Sequence, residues 1–227
     1  MATIALFGQR SFGAAAADAL CKAGHRVEFV VSPADRHDMP LHDPLRLWAD
    51  ETQTEWADAA RYTDADMPDG VDLIVAAHSH NFIGQRTRAR APLAVGYHPS
   101  LLPIHRGRDA IRWTIRMGDR VTGGSVYHLT NGIDSGPLAA QRTVLVRPDD
   151  NEHTLWARLF QVGVGLLVQV ADDADAGRVA YVPQNEACAT WEPSWERPRL
   201  YRPELLALPA SASSPPTRDG ARDGIAI

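Results

Sequence analysis

The opening of the chain carries the pattern that most limits its fold. Thr3–Phe7 is a short apolar run, followed by a glycine-bounded turn over Gly8–Gly13. An alanine-rich segment over 14–23 ends at Gly24, and a second apolar run spans Arg26–Val31. Strand, glycine turn, helix and strand in this order predict a βαβ unit. The chain is therefore expected to build an α/β fold.

The same alternation continues downstream. Apolar runs predict further strands over 71–77, 93–97, 123–129 and 139–146, and helical spacing predicts helices over 43–52, 109–117 and 154–171. We expect a Rossmann-like, mostly parallel twisted sheet with helices on both faces, formed by one domain over residues 1–182. A Pro- and Trp-containing segment over 183–206 is predicted to be an extended surface strap. The composition of 207–227 is typical of a disordered tail.

Composition excludes several classes of protein. The 227 residues are 44% hydrophobic and 22% charged, with a net charge of −5, so a general nucleic-acid binder is not expected. The two cysteines, Cys21 and Cys188, lie far apart, which argues against a disulfide framework or a cysteine zinc site and favours the cytoplasm. No unbroken apolar run approaches the roughly 18 residues of a membrane span, and the first residues lack the features of a signal peptide.

The chemistry-bearing residues are densest between Gly96 and Pro137. His98 follows an apolar strand and precedes Pro99, so it is predicted at the carboxyl end of a strand, where ligands bind in open α/β sheets. Asp134 lies in a second segment rich in turn residues. A histidine and an aspartate on two rigid loops can act as a base and its orienting partner. Either residue alone would more often be structural.

Taken together, these motifs resemble a known family. HPSLLP-x-HRG begins at His98, a helix of the pattern AI-x-W-x-I follows, and TGGSV precedes GIDSGP around Asp134. This combination is similar to the formyltransferases that use 10-formyltetrahydrofolate. The family includes glycinamide ribonucleotide transformylase, methionyl-tRNA formyltransferase, sugar N-formyltransferases and the hydrolase domain of 10-formyltetrahydrofolate dehydrogenase. GQRSFG, HDPLRLWA and YHPSLLP look most like that hydrolase domain, and QNEACATWEP resembles the closing segment of the family.

The resemblance implies roles for particular residues. It places the catalytic pair on His98 and Asp134, with 10-formyltetrahydrofolate as co-substrate and no metal. The folate pterin is expected between two loops. The first contains Asn81, Phe82 and Ile83. The second contains Thr130, Asn131, Gly132, Ile133 and Asp134.

One position departs from the family pattern. Most of these transferases carry an asparagine two residues before the histidine, and here that residue is Gly96. The asparagine amide donates a hydrogen bond to the oxygen that becomes negative during transfer. Losing such a donor costs about 100- to 1000-fold in rate. Because the dehydrogenase hydrolase domain also lacks this asparagine and is active, Gly96 weakens the transferase interpretation without removing catalysis.

The leading hypothesis is formyl transfer to an amine on a small molecule such as an amino sugar, an amino acid or a natural-product intermediate. Side chains expected near the acceptor are His105, Arg106, Arg108, Gln9 and Arg10, since arginine suits carboxylates and phosphates. No second domain like that of methionyl-tRNA formyltransferase is expected, which argues against a tRNA substrate. Hydrolysis of 10-formyltetrahydrofolate is the alternative, and a non-catalytic folate-binding protein is the third hypothesis. Many relatives are dimers, and a homodimer is left open.

Other signals carry less weight. Gly8 to Gly13 faintly suggests a dinucleotide site, but Arg10 occupies the place of the second glycine. His78 and His80 suggest a metal pair, although structural or pocket-lining roles are more common. Arg86, Arg88 and Arg90 are expected in a surface turn or in contact with the folate tail, and Arg112 is expected beside the acceptor or on a solvated helix face. Cys21 and Trp113 are predicted to pack in the core. Trp191 and Trp195 are expected either to anchor the strap or to cover a pocket.

Overall fold

A computed structural model describes residues 1–35 and 41–192 of the chain. Seven strands form one sheet: β1 Thr3–Gly8, β2 Arg26–Ser32, β3 Glu55–Asp58, β4 Leu73–Ala77, β5 Leu93–His98, β6 Val121–His128 and β7 Leu138–Leu145. Five α-helices connect or follow them: α1 Arg10–Lys22, α2 Pro44–Thr52, α3 Gln85–Arg88, α4 Ala110–Met117 and α5 Glu152–Asp175.

The strand order is β3-β2-β1-β4-β5-β6-β7. The first five strands are parallel, whereas β6 pairs antiparallel with both β5 and β7. The strand order reverses between β1 and β4, which both end at the same edge of the sheet as β5. This confirms the predicted Rossmann-like, mostly parallel α/β fold. It also places His98, the last residue of β5, at the edge where such folds bind ligands.

The sheet is covered unequally on its two faces. One face packs against α1, α2 and α5, which contribute Phe12, Leu45 and Leu166 to the larger core. The opposite face forms a smaller core, in which Met67 and Ile83 come from connecting segments rather than from a long helix. This second face borders the short α3 and a one-turn 3₁₀ helix over Asp64–Asp66. Helices therefore lie on both faces, as predicted, but those on the second face are short.

Local sequence explains where several helices begin and pack. Asp43 caps α2, its carboxylate accepting from the backbone N–H of Leu45 at 2.9 Å, so the helix begins one residue after the predicted start. Asn151 caps α5 through the N–H groups of His153 and Thr154. Gly163 allows α5 to approach the sheet closely, because a Cβ there would lie 2.6 Å from the ring of Tyr97.

Helix α5 is longer than the sequence pattern suggested. By length and composition α5 is apolar enough to cross a membrane, although its sequence contains no unbroken apolar run of that length. In the structure, 39% of its most apolar window is buried. Leu155, Leu159, Leu166 and Leu167 are buried along one side of α5, which contacts α1 and strands β4 to β7. These contacts are typical of a core helix in a globular protein.

The fold contains two elements that were not predicted and corrects two expectations. Strand β3 and helix α3 were not predicted, since each has only four residues. Cys21 is exposed on the last turn of α1 instead of packing in the core. Trp113 on α4 is only half buried, so it does not belong to the fully buried core.

The beginning of the predicted strap is described up to Glu192. Its backbone pairs with the loop that follows His98: the N–H of Arg106 donates to the carbonyl of Thr190 at 3.0 Å, and the N–H of Thr190 donates to that of Pro103 at 3.1 Å. This part of the segment is thus held against the loop, but it is not extended throughout, because a one-turn 3₁₀ helix spans Glu186–Cys188. The rest of the strap, with Trp195, and the tail over 207–227 lie outside the described residues.

Candidate active site

His98 and Asp134 lie together at the carboxyl end of β5. His98 Nδ1 is 3.5 Å from Asp134 Oδ2, and the two side chains are 8% and 13% exposed. His98 Nε2 lies 2.7 Å from the backbone carbonyl of His105. Because a carbonyl only accepts, Nε2 carries a hydrogen and donates it. Nδ1 is therefore the ring atom that faces the carboxylate and exchanges protons within the site.

Asp134 is held from two further directions. Its Oδ2 accepts from the backbone N–H of Gly107 at 2.8 Å, and its Oδ1 accepts from the hydroxyl of Tyr127 at 2.6 Å. Burial, followed by the neighbouring charge of Asp134, raises the pKa of Tyr127 well above its usual value, so the phenol stays protonated and remains a donor. The backbone of Asp134 has φ +50°, a left-handed conformation that is uncommon outside glycine.

Gly96 lies opposite Tyr127 in the β5–β6 pair. A Cβ on Gly96 would lie 2.9 Å from Leu129 Cδ2 and 3.4 Å from the hydroxyl oxygen of Tyr127. The space beside Gly96 is thus already filled by Tyr127 on β6 and by Leu129, which directly follows that strand. The hydroxyl group nearest this position belongs to Tyr127, which already donates to Asp134.

The two loops predicted to hold the pterin are joined by Arg88. Its Nη1 donates to the carbonyl of Ile83 at 2.6 Å, and its Nη2 donates to Oδ1 of Asn131 at 2.6 Å. Arg88 is therefore a bridge between the loops and not a free contact for a folate tail. Arg90 is likewise engaged, with the carbonyl of Met67 and the carboxylate of Asp69. Arg86 is exposed at the rim of the larger cavity described next.

A cavity of about 600 Å³ opens at the carboxyl ends of β1, β2 and β4. Asn81, Phe82 and Ile83 line it together with Gln9 and His80. Phe82 is 65% exposed, so its ring is available to a ligand. The second predicted loop is not part of the lining: Thr130, Asn131, Gly132 and Ile133 form a neighbouring turn in which the N–H of Gly132 donates to Oγ1 of Thr130.

His80 lines the larger cavity, and His78 lines a smaller one. Burial, followed by the positive charges of Arg108 and Arg10, lowers the pKa of His80. Burial, then His80 and Arg10, lower the pKa of His78 to about 4, so this imidazole is neutral near pH 7. Gln9, at the start of α1, is buried beside them.

The smaller cavity, of about 320 Å³, lies next to the carboxyl end of β5, and neither cavity includes His98 or Asp134 in its lining. Its lining includes His78 and Pro99 with residues from α4 and the start of α5, among them Arg112, Glu152 and Trp156. Arg112 Nε donates to Glu152 Oε2 at 2.8 Å, which gives this cavity a paired cation and anion. The pair His78 and His80 therefore faces two cavities, and among the described residues no cluster of three or more His, Cys, Asp or Glu could hold a metal.

Two residues expected to bind the acceptor have other partners. His105 is 4% exposed, with Nε2 at 2.7 Å from Asp119 and Nδ1 at 2.9 Å from Glu192. Arg106 is 1% exposed and pairs with Glu186 on the strap. Because both side chains are buried and engaged, they are corrected to structural residues. The sequence suggested a binding role because both residues lie close to His98. It did not show that the strap covers their side chains.

Sequence reasoning missed three contacts that shape the site. Tyr127 and Gln184 bind Asp134, and Arg88, interpreted from the sequence as a surface residue or a folate-tail contact, joins the predicted folate loops. Tyr127 lies 7 residues from Asp134, whereas the contacts of Arg88 to Asn131 and of Gln184 to Asp134 span 43 and 50 residues. For Tyr127 a signal existed, since a polar aromatic residue in the strand next to Gly96 was a candidate for the space left by the missing side chain. Gln184 stood in the recognised closing segment, where it received no role.

Comparison with known proteins now adds to this geometry. The sequence model of the formyl transferase family, described as "Formyl transferase", matches residues 2–171. The chain belongs to the formyl transferase family. Mitochondrial 10-formyltetrahydrofolate dehydrogenase of Mus musculus is 34% identical over 217 residues, covering 86% of this chain and 23% of the dehydrogenase. Methionyl-tRNA formyltransferase of Anaeromyxobacter sp. (strain K) is 32% identical over 197 residues, covering 82% of this chain and 63% of that protein.

A solved formyltransferase shares the fold at low identity. The N-formyltransferase of Helicobacter canadensis, solved with folinic acid and dTDP-3-aminofucose, superposes with a TM-score of 0.69 at 13% identity, covering 85% of this chain and 71% of that one. This chain thus spans under a quarter of the dehydrogenase and somewhat under two thirds of the methionyl-tRNA enzyme. The segment that the chain shares with these relatives contains His98 and Asp134.

Proposed function

We propose that this formyl transferase moves the formyl group of 10-formyltetrahydrofolate to the amine of a small-molecule acceptor. The observation that carries the proposal is the contact between His98 Nδ1 and Asp134 Oδ2 at the carboxyl end of β5. Family membership supports a folate-dependent formyl-group transferase. The cavity of about 600 Å³ is in the range of pockets that hold small ligands, and its lining includes three residues expected to contact the pterin.

The proposed chemistry follows from the atoms that are free. The folate supplies an activated formyl group, whose carbon the acceptor nitrogen attacks. His98 Nδ1, once protonated, stabilises the negative charge that develops on the formyl oxygen and delivers a proton to the departing folate nitrogen. Asp134 stabilises the charged imidazole and accepts the proton that the attacking amine loses, through water. His98 Nε2 stays fixed on the carbonyl of His105 throughout.

The charge around the site favours an acceptor that carries an anionic group. Arg10 and Arg108 are exposed, and their positive charges act on His80, which lines the larger cavity. Arginine forms paired hydrogen bonds with carboxylates and phosphates. We propose that the acceptor enters from the smaller cavity, presents its amine towards His98 and leaves its negative group near Arg10 and Arg108. The acceptor of the Helicobacter canadensis enzyme, a nucleotide-linked amino sugar, has this chemistry.

Hydrolysis of 10-formyltetrahydrofolate remains the second candidate. It is favoured by Gly96, which provides no side-chain donor, and by the likeness to 10-formyltetrahydrofolate dehydrogenase. In this reaction water replaces the amine as the attacking group, and formate and tetrahydrofolate are the products. The same His98 and Asp134 would serve.

The test follows folate product by absorbance, first without an acceptor and then with a panel of amines. Release that requires one class of amine supports the transferase, while release without amine supports the hydrolase. His98→Ala and Asp134→Asn should each lower the rate by about 100-fold or more. His128→Ala and Asp173→Asn are matched controls, since these residues contact the carbonyl of Ala180 and Arg178 away from the site. Equal rates in the site variants and the controls would refute both enzymatic functions.

A further inference from the structure

Arg106 presents an energetic problem that the structure solves in an informative way. Its side chain is 0% exposed, although a guanidinium is always charged. A buried charge is costly unless it is paired and hydrogen-bonded. Arg106 also follows His105, whose carbonyl holds His98 Nε2, so whatever stabilises Arg106 lies close to the catalytic pair.

The partners of Arg106 come from the strap. Glu186 receives two hydrogen bonds, from Nη1 at 2.8 Å and from Nη2 at 2.6 Å. Gln184 receives two more on its Oε1, from Nε at 3.1 Å and from Nη2 at 2.7 Å. The indole ring of Trp191 lies with its centroid 5.7 Å from the guanidinium carbon. Four of the five N–H groups of the guanidinium therefore donate to strap residues.

The other end of the Gln184 amide points at Asp134. Its Nε2 donates to the backbone carbonyl of Asp134 at 2.9 Å and to that of Gly136 at 2.6 Å. Arg106 fixes this orientation, because a flipped amide would place its NH₂ group against the guanidinium and its oxygen against two carbonyls. All four hydrogen bonds of the amide thus agree on one arrangement.

This arrangement acts on a residue whose backbone needs support. Asp134 has φ +50°, a left-handed conformation that residues other than glycine adopt in only a few per cent of cases. We propose that Gln184, oriented by Arg106, is a positioning residue that holds Asp134 against His98 Nδ1 during formyl transfer. The inference rests on the proposed function, and it assigns a part in catalysis to a strap residue that does not touch the substrate.

The strap offers a matched experiment, because Glu186 binds the same guanidinium without touching the Asp134 loop. Gln184→Glu keeps an acceptor for Arg106 but sets a carboxylate against the carbonyls of Asp134 and Gly136. Glu186→Gln keeps the loop contact and removes one charge. The double variant Gln184→Glu/Glu186→Gln exchanges the two groups, so Arg106 still meets one carboxylate and one amide.

The double variant should lower kcat while leaving the stability of the protein unchanged. In the double variant, we expect kcat to fall on the order of 10-fold, the equivalent of a lost hydrogen bond to a critical group, while KM for the folate and Tm stay near those of the wild type. Glu186→Gln alone should keep the wild-type kcat. A double variant with wild-type kcat, or an equal loss in Glu186→Gln, would overturn the proposal.

A second measurement does not depend on turnover. Hydrogen–deuterium exchange of a peptide covering 129–138 should be faster in the double variant than in Glu186→Gln, because only the former loses the amide that holds this loop. Unchanged exchange in both would contradict the positioning role. If the wild-type protein released no folate product under any condition, the proposed function would fail, and the exchange result would still decide whether Gln184 fixes the loop.

Discussion

The hydroxyl of Tyr127 donates a 2.6 Å hydrogen bond to Oδ1 of Asp134. Tyr127 faces Gly96 across the β5–β6 pair, and its hydroxyl lies 3.4 Å from where a Cβ of Gly96 would be. The absence of a side chain at Gly96 is thus linked to the position of a phenol that binds the proposed catalytic aspartate. The space that a side chain at this position would need is occupied by Tyr127 and Leu129.

Tyr127→Phe tests this link directly. The change removes the donor to Oδ1 and leaves a buried carboxylate with one partner fewer, so we expect kcat to fall by about 10-fold. The measurement is the rate of folate product release at saturating substrate. Tyr181→Phe is the matched control, because Tyr181 is exposed and its ring packs against His128. Equal kcat values for the two variants would exclude a catalytic contribution of the Tyr127 hydroxyl.

Restoring the family asparagine by Gly96→Asn should not raise the rate. Its Cβ would lie 2.9 Å from Leu129 Cδ2, and its amide would compete with Tyr127 for the same space. Overpacking of this kind costs about 1 to 3 kcal/mol, so the free energy of unfolding measured in urea should fall. Adding Leu129→Ala should recover part of that loss. An increase in kcat for Gly96→Asn would show that the space is open to a side-chain donor.

Arg88→Ala should weaken folate binding by about 10-fold, because the hydrogen bonds that join the loops of Ile83 and Asn131 are lost. Fluorescence titration with a stable folate analogue gives the Kd. Arg90→Ala removes contacts to Met67 and Asp69 on another segment and should leave the Kd unchanged. If both variants bound the analogue equally well, the bridge would have no role in binding.

His105 should make the stability of the protein depend on pH. Burial lowers its pKa, but hydrogen bonds and charges of Glu192 and Asp119 outweigh this effect and raise the pKa above 6.5 overall. A group with a raised folded-state pKa stabilises the protein fully below its unfolded value and loses that contribution as pH rises through the folded value. Thermal unfolding should therefore show Tm falling from pH 6 upwards, and His105→Asn should flatten this decline. A decline of equal slope in the variant would assign it to other groups.

Much of the fold could be read from local pattern. The βαβ opening, the apolar strand before His98 and the helix of α5 each depend on residues close together in sequence, where periodicity is informative. The four-residue β3 and α3 were missed because segments this short contain only two repeats of a strand pattern and about one turn of a helix, too few to stand out from their neighbours. Cys21 was placed in the core because its alanine-rich helix hid which face was exposed.

The site could be predicted only as far as its residues share a motif. His98 and Asp134 were named from the sequence, and the structure places them 3.5 Å apart, but their catalytic roles remain a proposal. Arg106 was misread because its chemistry suits a ligand, and only the distant Gln184 and Glu186 reveal that the protein uses it internally. Such long-range polar contacts leave no periodic signal in one sequence.

The dependence of Arg106 on the strap also sets an order of assembly. The ribosome delivers β5, which ends at His98, and the loop that carries Asp134 before it delivers Gln184 and Glu186. Until the strap arrives, a nascent chain with a formed sheet leaves the Arg106 guanidinium open to water and the Asp134 loop without its contact to Gln184. The His98–Asp134 arrangement is therefore expected to reach its final form only after the strap has been synthesised.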